Sequence, residues 1–110
     1  MDISADSIEI SPKDAKLALD SNNPPYLLDV REQTEVSLCK IKGSVNIPMN
    51  EVPAQIETLP KERAILCYCH HGGRSRAITE YLITAGFDAK NLHGGIHAWS
   101  TTVDPSIPQY

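Results

Sequence analysis

Apolar residues along this chain switch repeatedly between a two-residue and a three-to-four-residue rhythm. Ile8-Glu9-Ile10 alternates and predicts a short first strand. Ser11-Pro12-Lys13-Asp14 reads as a helix start, with Ser at the N-cap, Pro in the first helical position and Asp in the first turn. Ala15, Leu17, Ala18 and Leu19 continue that helix until Ser21-Asn22-Asn23-Pro24-Pro25 breaks it. Tyr26-Leu27-Leu28-Asp29-Val30 is apolar on both faces apart from its end, as in a central parallel strand. Gln33 to Leu38 predicts a short helix, Gly43 a turn and Val45-Asn46-Ile47 another short strand. Asn50 can cap a helix holding Val52, Ile56 and Leu59, with Pro53 in its first turn and Pro60 at its end. Ala64-Ile65-Leu66-Cys67-Tyr68 is an apolar run of strand length. Ala77, Ile78, Tyr81, Leu82 and Ala85 follow at helical spacing, and Gly86 sits where a C-terminal cap belongs. Phe87, Ala89 and Leu92 flank a last strand, and Gly94-Gly95 turns into a small helix with Ala98 and Trp99. The tail Thr101–Tyr110 holds Pro105 and Pro108, lacks periodicity and is expected to lie extended on the surface. No repeat, low-complexity block or linker interrupts this alternation. It implies one α/β domain over residues 1–110, built on a parallel, doubly wound sheet.

Composition narrows the function classes. A formal charge of −4 argues against a general nucleic-acid binder, which would show a basic surface. No apolar run approaches the length of a membrane span, and Met1-Asp2-Ile3-Ser4-Ala5-Asp6 is acidic where a signal peptide would be basic. A soluble cytoplasmic protein is the expectation. Three cysteines are an odd number, and Cys67 and Cys69 stand too close for an ordinary disulfide framework, so free thiols in a reducing compartment fit better.

The chemistry concentrates at Cys69-His70-His71-Gly72-Gly73-Arg74-Ser75, between the apolar strand and the helix that follows. Two glycines let the backbone turn sharply and expose amide N–H groups. The helix N-terminus adds unpaired N–H groups and the positive end of its dipole. A free thiol ionises near pH ~8.5, and helix N-termini and nearby cations such as Arg74 and Arg76 favour the thiolate. Cys69 is therefore the candidate nucleophile. Asp29 and Arg31 stand at the carboxyl end of the second strand, the edge on which sites in open α/β sheets assemble.

Cys69 to Ser75 resembles the active-site loop of the rhodanese sulfurtransferase family, C-x-x-G-x-R-S. Leu27-Leu28-Asp29-Val30-Arg31-Glu32 resembles the family's first signature, an apolar strand ending in Asp-Val-Arg. Lys42-Gly43-Ser44-Val45-Asn46-Ile47-Pro48 resembles its G-A-x-N-I-P segment, with Ser44 for the usual Ala. Leu92-His93-Gly94-Gly95-Ile96-His97-Ala98-Trp99 resembles the closing L-x-G-G-x-x-x-W signature. The four segments fall in the family's order and cover roughly residues 8–100. The resemblance implies the rhodanese fold, a central parallel β-sheet with α-helices on both faces.

It also implies an enzyme, a thiosulfate sulfurtransferase. The Cys69 thiolate would attack the outer sulfur of a small anionic donor such as thiosulfate, sulfite would leave, and a thiol or cyanide would take the sulfur from the Cys69 persulfide. His70, His71, Gly72, Gly73, Arg74 and Ser75 would form the substrate-binding loop. Converging N–H groups would stabilise the persulfide as an oxyanion hole stabilises an oxyanion. No cofactor beyond the covalent persulfide is implied.

Each residue has a plainer reading beside this one. Cys67 lies two residues before Cys69 and reads as a buried core thiol; Cys39, before Lys-Ile-Lys, reads as incidental. Arg74 either meets the substrate or anchors the loop through backbone or an acid. Ser75 reads as the helix cap with its hydroxyl toward the loop. Asp29 and Arg31 read as an ion pair or a brace near the site. His70 and His71 read as exposed loop histidines, His93 and His97 as packing or rim residues, and Trp99 as core. The Cys and His spacing is wrong for common zinc sites, and adjacent ligands would crowd a tetrahedral centre, so no metal is expected. A phosphatase of the same fold would have five residues between Cys and Arg, where this chain has His70, His71, Gly72 and Gly73. A persulfide carrier or protein-interaction module with little turnover of its own is the remaining alternative.

Overall fold

The computed structural model describes residues 8–110. The acidic stretch Met1–Asp6 lies outside the described residues. In chain order the elements are β1 (Glu9–Ile10), α1 (Pro12–Leu19), β2 (Tyr26–Asp29), α2 (Gln33–Val36), β3 (Val45–Asn46), two 3₁₀ turns (Met49–Glu51 and Pro53–Thr58), β4 (Ile65–Tyr68), α3 (Gly73–Thr84), β5 (Ala89–Leu92) and α4 (Gly95–Thr102). Local chemistry accounts for the boundaries. Ser11 caps α1 by accepting the Asp14 N–H at 3.1 Å, as its Ser-Pro start predicts. In α2 the Glu32 and Glu35 side chains satisfy each other's backbone N–H groups in a reciprocal cap.

All strand pairings are parallel, in the order β1-β5-β4-β2-β3. β4 is the centre, with Leu66 opposite Leu27 and Cys67 opposite both Leu28 and Asn91. Strand alternation divides the core into two layers. Leu28, Ile65, Cys67 and Ala89 face Ile78 and Leu82 of α3, with Val52 and Leu59 of the 3₁₀ region. Leu27, Leu66, Tyr68 and Leu92 face Ala15 of α1 and Ile96 and Trp99 of α4. Helices thus cover both faces of the sheet. The chain leaves β2 for β3 on one side and leaves β4 for β5 on the other. That divergence opens a crevice at the carboxyl ends of β2 and β4, where ligands bind in open α/β sheets. Cys69 follows β4 and Arg31 follows β2, so this topology places both residues there.

Three elements depart from expectation. The segment holding Val52, Ile56 and Leu59 is not an α-helix capped by Asn50. It is two 3₁₀ turns, with Asn50 inside the first. The prolines that bracket it at 48, 53 and 60 remove backbone donors and favour short turns. α3 begins at Gly73, so Ser75 is a buried residue of its first turn and not its cap. The tail does not lie free on the surface: α4 runs to Thr102, Ile107 is buried, and Ser100 Oγ donates to the Ile107 carbonyl at 2.6 Å. No helix among the described residues is long and apolar enough to cross a membrane.

Candidate active site

Cys69 leaves β4 directly into a tight loop. Gly72, at φ +109°, carries the backbone through a left-handed conformation that L side chains rarely adopt, and α3 starts at the next residue. The turn aims two backbone donors and one hydroxyl at one sulfur. Cys69 Sγ accepts from the Gly72 N–H at 3.1 Å and the Ser75 N–H at 3.4 Å, and the Ser75 hydroxyl lies at 3.3 Å. The Gly72 amide stands at the N-cap of α3 and the Ser75 amide in its first turn, where the helix dipole adds positive potential. Cys69 is 1 % exposed, and in so dry a setting such donors act more strongly than in water. Cys67 lies in the same core layer; burial pushes its thiol up to about 12, so it stays protonated and inert.

Behind the sulfur runs a buried polar chain. The Ser75 hydroxyl donates to Asn91 Oδ1 on β5 in a short hydrogen bond. Asn91 Nδ2 faces acceptors only: Gly72 O at 3.1 Å and the two Glu9 carboxylate oxygens at 3.1 and 2.9 Å. That environment fixes the amide orientation and leaves Oδ1 for Ser75. With its proton held by Asn91, Ser75 Oγ presents a lone pair toward Sγ and can accept the proton of a neutral Cys69. Turned the other way, the same hydroxyl donates to a thiolate.

Arg74 points away from the sulfur. Its Nη1 and Nη2 donate to Glu35 Oε1 and Oε2 at 2.7 and 2.9 Å, a bidentate pair with α2. The Arg74 hydrogen bonds, helped by one from Tyr110, outweigh partial burial and hold the Glu35 carboxyl down to about 2. The Glu35 hydrogen bonds hold the Arg74 guanidinium above its ordinary range. Asp29 and Arg31 form the next layer. Both are fully buried, and Arg31 Nε and Nη2 donate to Asp29 Oδ1 and Oδ2 at 3.0 and 2.7 Å. Arg31 Nη2 also donates to the Cys39 carbonyl at 2.8 Å, and Nη1 to Tyr110 Oη at 3.0 Å. Burial alone would lower the Arg31 pKa, but the Asp29 and Tyr110 hydrogen bonds raise it. Tyr110 Oη in turn donates to Glu35 Oε2 at 2.8 Å. The tail, the segment after β2 and the Cys69 loop are thereby tied through two arginines and one glutamate.

The histidines are unequal. His71 is exposed, whereas His70 is half-buried with its ring stacked on Tyr110 at 3.8 Å and 8°. Burial and the neighbouring His71 lower the His70 pKa. His93 is exposed at the rim, its Nδ1 3.3 Å from Glu9 Oε1. His97, in the first turn of α4, lies against the loop: its ring is 5.1 Å from that of His71, and its N–H donates to the His70 carbonyl at 3.0 Å. The Ile96 N–H donates likewise to the Cys69 carbonyl at 2.9 Å. Gly95 permits this docking, because a Cβ there would stand 2.6 Å from the Cys69 carbonyl oxygen.

Glu9, Glu35, Asn91 and Tyr110 were not among the site residues expected from the sequence. Glu35 carried a local signal, its place in the α2 capping box. The others are marked by no motif, because their partners lie 16 to 84 residues away.

Comparisons with known proteins agree with the geometry. Residues 11–102 match the rhodanese-like domain family. The chain is 36 % identical over 97 residues to the putative sulfurtransferase YtwF of Bacillus subtilis, covering 88 % of this chain and 94 % of that one. It is 34 % identical over 95 residues to the adenylyltransferase and sulfurtransferase uba4 of Ogataea parapolymorpha, covering 84 % of this chain but only 24 % of that longer protein. The crystal structure of reduced Bacillus anthracis CoADR-RHD superposes with a TM-score of 0.85 at 29 % identity, over 98 % of this chain and 19 % of that one. With its Cys-led loop at the β2–β4 crevice and this match over most of its length, the chain belongs to the rhodanese-like domain family.

Proposed function

We propose that the protein is a sulfurtransferase that carries a sulfane sulfur as a persulfide on Cys69, with thiosulfate as the model donor and a thiol or cyanide as acceptor. The Cys69 thiolate forms a bond to the outer sulfur of the donor. The donor's S–S bond breaks, and its electron pair leaves with sulfite. An acceptor thiolate or cyanide then attacks the outer sulfur of the persulfide, and Cys69 departs as thiolate. The observation that carries this reading is the convergence of the Gly72 N–H, the Ser75 N–H and the Ser75 hydroxyl on Sγ. The two amides stabilise anionic sulfur as they would an oxyanion, and the Ser75 hydroxyl joins them when it turns from Asn91 to the sulfur. Because Cys69 is 1 % exposed, the donor engages it when the loop opens locally.

The position of Arg74 argues against the phosphatase alternative. Both terminal nitrogens of its guanidinium are held by Glu35, so the loop does not present them to a phosphate. The test is the intact mass of the reduced protein after thiosulfate treatment. A gain of one sulfur atom that maps to Cys69, disappears with reductant and is absent in Cys69→Ser is the expected result. Sulfur gain retained in Cys69→Ser refutes the mechanism. Comparing thiosulfate turnover with sulfur uptake from a cysteine desulfurase separates an enzyme from a carrier.

A further inference from the structure

We propose that His70, His71 and His97 form a binding site for a borderline divalent transition-metal ion, with Zn²⁺ as the working case, on the rim of the Cys69 loop. One ring nitrogen from each lies within 4.8 Å of the others. Nitrogens bound to one Zn²⁺ at about 2.1 Å stand about 3.4 Å apart in tetrahedral geometry. His71 is exposed, and its ring already lies 3.9 Å from that of His70 and 5.1 Å from that of His97, so small side-chain rotations within the cluster would bring the nitrogens to that spacing. A second observation points to a ligand. His70 Nε2 and His97 Nδ1 are shut off from solvent and have no hydrogen-bond partner among the described residues. Buried polar atoms are nearly always satisfied, and an imidazole nitrogen lone pair is satisfied as well by a metal as by a proton.

Three imidazoles without a carboxylate favour Zn²⁺, Co²⁺, Ni²⁺ or Cu²⁺ over Mg²⁺ or Ca²⁺, which take oxygen ligands. The spacing within Cys69-His70-His71 gives no such site alone. The third ligand arrives from α4, through the backbone bond from His97 to His70. A bound ion would join the loop to α4 beside the nucleophile. It would add a third tie to those made by Ile96 and His97 and hold the loop closed over Cys69. The ion is therefore an inhibitor of sulfur transfer, a consequence that rests on the persulfide reading of Cys69, whereas the site itself does not.

The test uses the untagged, reduced full chain. Calorimetry with Zn²⁺ should show one equivalent bound, with affinity falling at least tenfold in His71→Ala and in His97→Gln and little changed in Cys69→Ser. Co²⁺ should give d–d absorption without a thiolate-to-metal charge-transfer band. Failure to bind one equivalent, or affinity unchanged in both histidine variants, overturns the site. So does a charge-transfer band that vanishes in Cys69→Ser. For the inhibition, one equivalent of Zn²⁺ should slow persulfide formation at least tenfold in the native protein and not in His71→Ala. Stoichiometric binding without slowing overturns the inhibition and leaves the site. Absence of any persulfide on Cys69 overturns the sulfur-transfer reading and leaves the calorimetric result intact.

Discussion

Replacing Gly95 by Ala would place a methyl carbon 2.6 Å from the carbonyl oxygen of Cys69 and closer still to that of His70. Real Cβ atoms essentially never come within 3.0 Å of such neighbours, so α4 and the loop must part by roughly half an ångström. The bonds from Ile96 N–H to Cys69 O and from His97 N–H to His70 O, now 2.9 and 3.0 Å, would lengthen by that amount. Each contributes about 1 kcal/mol. Gly95 also sits at φ +65°, where an L residue costs about 1–2 kcal/mol. The expected loss is about 3 kcal/mol, which lowers the melting temperature by roughly 10–20 °C in a domain of this size. The assay is differential scanning calorimetry. Gly73→Ala is the control for stability: a Cβ there meets nothing within 4 Å, and its φ is not left-handed. A drop under about 3 °C in Gly95→Ala, or equal drops in both variants, refutes the docking argument.

Two further outcomes follow from the polar contacts. Glu35→Gln should cost roughly 1 kcal/mol at neutral pH, after discounting for the exposure of Arg74. Glu35 ionises at about 2 in the fold against about 4.3 in an unfolded chain. Its stabilisation is therefore full above the unfolded value and is lost as pH falls toward the folded one. The gap in urea midpoint between the two proteins should close between pH ~4.5 and ~2, and a gap constant over that range refutes the pairing. Asn91→Ala leaves the Ser75 hydroxyl and the Glu9 carboxylate without their shared partner and should cost about 1–3 kcal/mol in urea unfolding; an unchanged midpoint would mean the Ser75–Asn91–Glu9 chain holds nothing in place.

Much of the architecture is local. A strand buried on both faces needs an unbroken apolar run, which Leu27-Leu28 and Ile65-Leu66-Cys67-Tyr68 supply. A helix start needs its cap, which Ser11-Pro12 supplies. The Cys69 loop is legible for the same reason: two glycines and a helix start lie within seven residues of one thiol. Ser75 shows the limit. Its type is that of a cap, yet Gly72 accepts the left-handed conformation first and starts α3 earlier. The serine is carried into the first turn, where its hydroxyl meets the sulfur and Asn91.

By itself the sequence determined the order of strands and helices, the parallel sheet they imply and the Cys69 loop with its amide cradle, because each depends on spacings within one or two elements. Only the tertiary structure decided what surrounds them. Glu35, 39 residues from Arg74, becomes that arginine's partner because β2 lies beside β4 in the sheet. Asn91 reaches Ser75 because β5 lies on the other side of β4. His97 joins His70 and His71 because Gly95 lets α4 approach the loop. Tyr110 closes the set because burial of Ile107 turns the tail back over His70 and Arg31. None of these pairings has a local energetic signature; each is fixed by which strand ends the sheet order brings together.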